Sequence, residues 1–388
     1  HDLGIISKAD WIIELGPKSG KFGGELVHCG DYSSLKNNSN SITSKYLNNE
    51  FKIKKSHCSK ISSEKIKIKK ATKNNIKDIS FEFPLHSITC ITGVSGSGKS
   101  TLIKDCFFGN ACKEFGQIYP NPGDVESISG LSKIDELIMI NQDTVGTSSR
   151  SNPASFMKIY DEIRVKMAKT KEAHSQKLKP GDFSFNTDGG RCDDCKGEGK
   201  KIIEMQFLSD LEVICDTCNG KRFKENILEV KLNNKNINQI LDMTIDEAMI
   251  FFQSDKKIIK KLEILSSVGL GYLTLGQPTN TLSGGESQRI KIAKSLLSKG
   301  SNNVLYILDE PSIGLHVDDL KNLVQTFELL VEQGNTVLII EHNLDLIRIA
   351  DYIVDIGPGG GIKGGKILAS GTPKEIMKST KSIIKNYM

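Results

Sequence analysis

The stretch Gly93 Val94 Ser95 Gly96 Ser97 Gly98 Lys99 Ser100 Thr101 constrains this chain more than any other. An apolar run, Ile88 to Thr92, leads into it, and Leu102 and Ile103 follow, so the local reading is strand, glycine-rich turn, helix start. That is the setting a phosphate-binding P-loop requires. Glycines let successive backbone N–H groups curl around phosphate oxygens, here from Gly93 through Ser95, Gly96, Ser97 and Gly98 to Thr101. Lys99 can neutralise the terminal phosphates of ATP, and the Ser100 hydroxyl can complete a Mg²⁺ shell. A chance match would be an ordinary loop without these flanks.

A second apolar strand, Val304 to Leu308, ends in Asp309 Glu310. There Asp309 is placed to hold Mg²⁺, and Glu310 to orient or deprotonate an attacking water. A third, Thr336 to Ile340, is followed by Glu341 His342, where the histidine can reach a terminal phosphate, although a lone histidine is more often structural. Helices are expected between these strands, Glu286 to Leu297 and Val317 to Gln333. Alternation of strand and helix implies an α/β fold with a parallel sheet covered on both faces. Ile76 to Phe83 and Glu136 to Asn141 read as further strands, the latter ending at Gln142.

Thr281 Leu282 Ser283 Gly284 Gly285 Glu286 opens a helix with two glycines and a serine. Free N–H groups and the positive end of the helix dipole at Ser283, Gly284 and Gly285 suit an anion. The spacing of Ser283 and Glu286 is equally that of a capping box.

Cys192 and Cys195 are two residues apart, Cys215 and Cys218 likewise, with nineteen residues between the pairs. Four thiolates in two such knuckles suit a structural, tetrahedral Zn²⁺. A redox dithiol or an iron–sulfur cluster is the alternative, and the presence of two knuckles argues against a lone redox motif. Lys200 to Val213 alternates enough to form a hairpin between them. The other cysteines, Cys29, Cys58, Cys90, Cys106 and Cys112, are scattered, which points to a reducing compartment rather than a disulfide framework.

His1 to Gly30 aligns without a gap on His342 to Gly371, sharing His, Leu, Ala-Asp, Gly-Pro and Gly-Gly. Long-period self-similarity implies a duplicated domain. The second copy closes the module begun at the P-loop, so the first reads as the tail of an earlier module, and the chain as part of a longer one. The expected divisions are a tail over 1–32, a basic polar linker over 33–75, a cassette begun over 76–142, an insertion with the cysteines over 143–270, and the cassette completed over 271–388. Between Phe51 and Lys77 lie ten lysines and one acid, Glu64, read as a solvated linker or a phosphate-binding arm.

With 38% hydrophobic and 26% charged residues the composition is that of a soluble globular protein, and no apolar run is long enough to cross a bilayer. No signal-peptide pattern opens the chain. The net charge of +5 permits nucleic-acid binding without establishing it. Lys200, Lys201, Lys221 and Arg222 flank the knuckles and either meet phosphates or form a solvated surface.

In their order, the P-loop, a Gln at a strand end, Ser283 to Glu286, Asp309 Glu310 and His342 resemble an ATP-binding-cassette ATPase. The resemblance implies that Gln142 shares in Mg²⁺ binding and catalysis. It also implies that the Ser-Gly-Gly segment serves the nucleotide of another cassette. Further markers are Cys90 to Thr101, Arg150 Ser151 Asn152 Pro153 Ala154, Phe183 Ser184 Phe185 Asn186, Gly190 Arg191 Cys192, Leu275 Gly276 Gln277, and Ile307 to His316. Together these resemble the C-terminal half of the UvrA-type subunits of the bacterial nucleotide-excision-repair nuclease.

What that implies is a cytoplasmic ATPase on damaged double-stranded DNA, with its own N-terminal cassette, a head-to-tail homodimer and a UvrB-like partner, and no membrane. It also implies that the insertion is the second signature domain with its zinc module near DNA, which makes Arg150, Lys200, Lys201, Lys221 and Arg222 candidates for DNA contact. Damage sensing without a fixed sequence would rest on DNA deformability. The chain departs from the family at Thr147 Ser148 Ser149, where Arg and Pro are usual, leaving a phosphate contact there unsupported. Gln-Pro-Thr-Asn before the signature resembles UvrA-like paralogues linked to drug tolerance. The rival classes are a transporter's nucleotide-binding subunit, whose cassette normally lacks such an insertion, and a non-hydrolysing DNA-binding or scaffold half.

Overall fold

The computed structural model of the chain describes residues 3–17, 23–48, 50, 53, 55, 61–141, 143, 150–203, 205, 211–297, 303–315 and 317–388, with the backbone alone for 317–319. His1, Gln142, Thr147 Ser148 Ser149 and His316 lie outside the described residues. The chain divides into two compact units, 1–142 with 298–388, and 143–297. The second unit runs past the expected boundary at residue 270 and includes the helix Gly284–Leu297, against which the helix Lys256–Ser267 packs.

In chain order the strands are β1 (Ile12–Gly16), β2 (Glu25–Gly30), β3 (Lys65–Lys73), β4 (Ile76–Pro84), β5 (Ile88–Gly93), β6 (Ser127–Ser129), β7 (Glu136–Ile140), β8 (Lys200–Ile203), β9 (Leu211–Ile214), β10 (Val304–Asp309), β11 (Thr336–Ile340), β12 (Tyr352–Gly357) and β13 (Lys366–Gly371). The first unit is built on a sheet of order β13-β12-β5-β11-β10-β7, parallel except for the β13 edge. Its inner strands β5, β10, β11 and β12 are near-continuous apolar runs buried on both faces, as parallel strands must be when both faces are covered.

A second, antiparallel sheet of order β4-β3-β6 lies in the same unit. Its central strand, β3, falls inside the stretch whose lysine content reads as a linker. The Lys-Ile-Lys-Ile alternation is a strand pattern: Ile66, Ile68 and Ala71 are buried, while Lys65 and Lys67 turn outward to Glu82. The helical segment after the P-loop, Thr101–Phe108, shares one core with the two sheets, joining Leu102, Ile103 and Phe107 to Ile68, Phe83, Ile91, Leu338 and Val354. Phe107 meets Phe83 edge to face at 5.5 Å.

The repeat is structural as well as sequential. At a constant offset, His342 onto His1, β12 and β13 superpose in sequence on β1 and β2. Each pair is antiparallel with a register shift at the equivalent point, Glu14/Leu15 and Asp355/Ile356. The correspondence continues beyond Gly30 into residues that sequence reasoning gave to the linker. The helix Tyr32–Lys36 matches Pro373–Lys378, and Ile42–Leu47 overlies the short helix Ile384–Asn386. Both copies use one carboxylate for the same purpose: Glu14 accepts from Thr43 N and Oγ1 (3.3 and 2.7 Å), and Asp355 accepts from Ile384 N and Ser382 Oγ (3.3 and 2.7 Å). The copies differ in surroundings. Val354 and Ile356 are buried because β12 also pairs with β5, whereas the equivalent Ile13 and Leu15 are exposed.

The second unit is mostly helical, with Tyr160, Phe183, Phe185 and Phe223 buried in it and β8 paired antiparallel with β9. Tyr160 stacks on Phe185 at 4.8 Å and donates its hydroxyl to the Phe183 carbonyl at 2.5 Å.

Candidate nucleotide site and candidate metal centre

In the parallel register Asp309 lies opposite Ile340 and Ile340 opposite Ile91, so β5, β10 and β11 end level with one another. Their carboxyl ends carry the P-loop, Asp309 Glu310, and Glu341 His342, at the edge where ligands of parallel α/β sheets bind. Gly93 leaves β5 at φ +140°, and a Cβ there would sit 1.9 Å from the Ile356 carbonyl oxygen on β12. Only glycine fits.

The P-loop is clasped by the glycine-rich turn of the second repeat copy. Gly361 N donates to Gly96 O, and Gly365 N to Ser97 O, each at 2.9 Å. The Asn75 amide donates to the carbonyls of both Gly96 and Gly361, at 3.3 and 3.1 Å. Sequence reasoning missed this clasp, although the Gly-Pro-Gly-Gly-Gly run of the repeat was its signal.

The Lys99 ammonium donates to the Gly93 and Val94 carbonyls, both at 3.0 Å. Burial holds its pKa below the usual lysine value, opposed by the nearby Glu310 and Asp309 carboxylates. Lys104, one turn along the same helical segment and also missed, forms an ion pair with Asp309. Glu310 takes a left-handed backbone, φ +49°, and its Oε1 lies 3.3 Å from His342 Nε2. Ser100 is exposed at the mouth of the loop. A hydroxyl and a carboxylate are oxygen donors of the kind that Mg²⁺ takes, so Ser100 and Asp309 fit the metal.

In the second unit, Ser283 Oγ accepts from Glu286 N at 3.2 Å and Glu286 Oε2 accepts from Ser283 N at 2.7 Å, which is a reciprocal cap. The Tyr272 hydroxyl donates to Glu286 Oε1 at 2.5 Å, a contact with no sequence signal. Gly284 and Gly285 are the first helical residues behind Ser283.

The four cysteine sulfurs of the knuckles lie within 4.8 Å of one another and all four residues are buried. Cys192 and Cys215 sulfurs are 4.0 Å apart, Cys195 and Cys218 3.6 Å. A tetrahedron with Zn–S bonds of about 2.3 Å has edges of roughly 3.8 Å, so the spacing fits zinc and is far too long for disulfides. Burial, with the Cys195 and Cys215 thiols beside it, pushes the Cys218 thiol up, while, against its burial, hydrogen bonds from backbone N–H groups and neighbouring thiols hold Cys215 below the usual thiol value. Gly197, at φ +85°, could carry no Cβ, which would meet the Phe185 carbonyl oxygen at 2.2 Å.

The basic candidates differ in what holds them. Lys200 pairs with Glu212 (2.8 Å), Lys201 with Asp194 (2.6 Å), and Arg150 with Glu198 (3.3 Å). Arg222 donates to the Gly276 carbonyl at 3.1 Å and lies over the Phe185 ring, and its pKa is lowered by burial. Lys221 is exposed.

The family described as ABC transporter matches residues 197–313, a stretch holding the second cysteine pair, the Ser283 cap and Asp309 Glu310. UvrABC system protein A of Clostridium acetobutylicum is 47% identical over 389 residues, taking in 100% of this chain and 41% of that protein. Its counterpart in Aquifex aeolicus is 47% identical over 390 residues, again 100% of this chain and 42% of that one. The chain thus spans less than half the length of the curated relatives it matches. The crystal structure of UvrA2 from Deinococcus radiodurans superposes with a TM-score of 0.93 at 38% identity, covering 100% of this chain and 47% of that one. Along its whole length the chain is a homologue of the UvrA-type ABC ATPases and carries their cassette fold.

Proposed function

We propose that the chain is the ATP-hydrolysing, DNA-engaging part of a UvrA-type damage-recognition subunit of nucleotide excision repair. The observation that carries this reading is identity of 44–47% along the full chain to UvrABC system protein A, joined to the level ends of β5, β10 and β11. In the proposed chemistry, backbone N–H groups of Gly93, Ser95, Gly96, Ser97, Gly98 and Thr101 cradle the phosphates, and Lys99 leaves its carbonyl partners to neutralise them. Ser100, Asp309 and Gln142 would hold Mg²⁺, which supplies charge neutralisation on the phosphate oxygens. Glu310 takes the proton of the attacking water, and His342, 3.3 Å away, orients it against the terminal phosphate. Ser283, Gly284, Gly285 and Glu286 serve the nucleotide of another cassette.

The domain reading keeps the proposed cassette and insertion. It also takes residues 1–47 as the closing segment of a first cassette, because Ile13 and Leu15 are exposed where their repeat equivalents are buried against β5. Zinc held by Cys192, Cys195, Cys215 and Cys218 stiffens the insertion. Lys221, with Lys200, Lys201, Arg150 and Arg222 in supporting places, meets duplex phosphates. Partners in this proposal are damaged duplex DNA, a second copy and a UvrB-like loading partner, in the cytoplasm. No described helix is long and apolar enough to cross a membrane. The run Gln277 Pro278 Thr279 Asn280 before Ser283 keeps a UvrA-like paralogue's role in drug tolerance as a second reading. The test is duplex binding by the full-length protein with and without one lesion. Tighter binding to the damaged duplex supports repair, and equal affinity refutes it.

A further inference from the structure

Glu341 is a buried carboxylate that the proposed chemistry does not use; it is 2% exposed. It directly follows β11, and its own N–H donates to the Ile91 carbonyl on the P-loop strand at 3.0 Å. Its two oxygens serve two different loops. Oε1 accepts from Ser312 N at 2.9 Å, in the turn that leaves β10 through Glu310. Oε2 accepts from His342 N at 2.6 Å and Asn343 N at 2.8 Å, at the entry to the helix Leu344–Ile349. A buried carboxylate is tolerated only when its lone pairs are filled, and charge-assisted bonds from backbone N–H groups are short and strong. The two loops so joined are the ones that present Glu310 and His342 to each other at 3.3 Å. On the Glu310 side the backbone is in the left-handed region, which persists only where its surroundings hold it.

We propose that Glu341 is a positioning residue: by spending one oxygen on the Ser312 loop and the other on the His342 loop, it fixes the separation of Glu310 and His342. The role rests on the ATPase reading for its kinetic consequence, but the clamp itself does not. Nucleotide is held by the P-loop, which Glu341 does not touch through its side chain, so the clamp acts on turnover rather than on binding.

The test is Glu341→Gln in the full-length protein, with Glu341→Asp beside it. The amide is nearly isosteric, but its NH₂ must face either the Ser312 N–H or the paired N–H groups of His342 and Asn343, donor against donor. Expected are a fall in kcat of about 100-fold with KM and ATP affinity within about threefold, because displacing a reacting group by about 1 Å costs that much. Hydrogen exchange at the amides of Ser312, His342 and Asn343 should speed by tenfold or more in the same variant, on the order of one lost buried hydrogen bond, while P-loop amides keep their rates. Glu341→Asp, which keeps the charge but is one methylene shorter, should lower kcat by less than Glu341→Gln does, again with KM and ATP affinity held.

Wild-type kcat with unchanged exchange in Glu341→Gln overturns the proposal. So does loss of ATP affinity in step with kcat, or a variant that unfolds while Glu341→Asp shows no separation of kcat from KM, since either marks a merely structural residue. If the wild-type protein itself turns over no ATP, the ATPase reading fails, and the exchange measurement alone decides whether the clamp exists.

Discussion

At the scale of single residues the sheet edge separates holding a nucleotide from acting on it. Lys99 and the P-loop amides follow β5, while Glu310 directly follows β10 and His342 lies just past the end of β11. Glu310→Gln in the full-length protein should therefore keep ATP affinity within about threefold and lower turnover by 100-fold or more, the usual span for losing a general base. A nucleotide-binding titration beside a phosphate-release assay checks both, and unchanged turnover removes Glu310 from the reacting group. Gly93 has no such latitude. A methyl group there collides with the Ile356 carbonyl oxygen, so Gly93→Ala should lose nucleotide binding and soluble yield together.

At the scale of elements the zinc knuckles and the repeat carry separate arguments. Elemental analysis should find one zinc per chain. Cys192→Ser with Cys215→Ser should lose the metal and protease resistance over the 190–222 region, while ATP still binds at the P-loop, because metal and phosphates belong to different compact units. Iron in place of zinc contradicts the assignment. The buried parallel strands were legible in the sequence because β5, β10 and β11 read as unbroken apolar runs. The lysines of β3 hid a strand, since an outward face of Lys65, Lys67 and Lys69 dominates composition while Ile66 and Ile68 fill the core. The repeat is legible in the sequence only to Gly30. Beyond that point the two copies keep helices at matching positions and the anchors of Glu14 and Asp355, but no shared glycine pattern. Asn75, Lys104 and Tyr272 could not be found from the sequence at all, because each lies outside the motifs and meets its partner only through the fold.

At the scale of the whole molecule, the proposal joins a nucleotide engine to a DNA surface, and two bulk properties follow. Duplex affinity should fall steeply with salt and depend little on sequence, and Lys221→Ala should reduce the log–log salt slope by about 1, the share of one phosphate contact. Affinity that ignores salt contradicts the phosphate-contact account. The two functions must also communicate. The measurement that tests this most directly is steady-state ATP turnover by the full-length protein with no DNA, with an intact duplex, and with the same duplex carrying one lesion, at fixed salt. The account predicts that turnover differs at least severalfold between the damaged and intact duplexes. Turnover indifferent to both would contradict it.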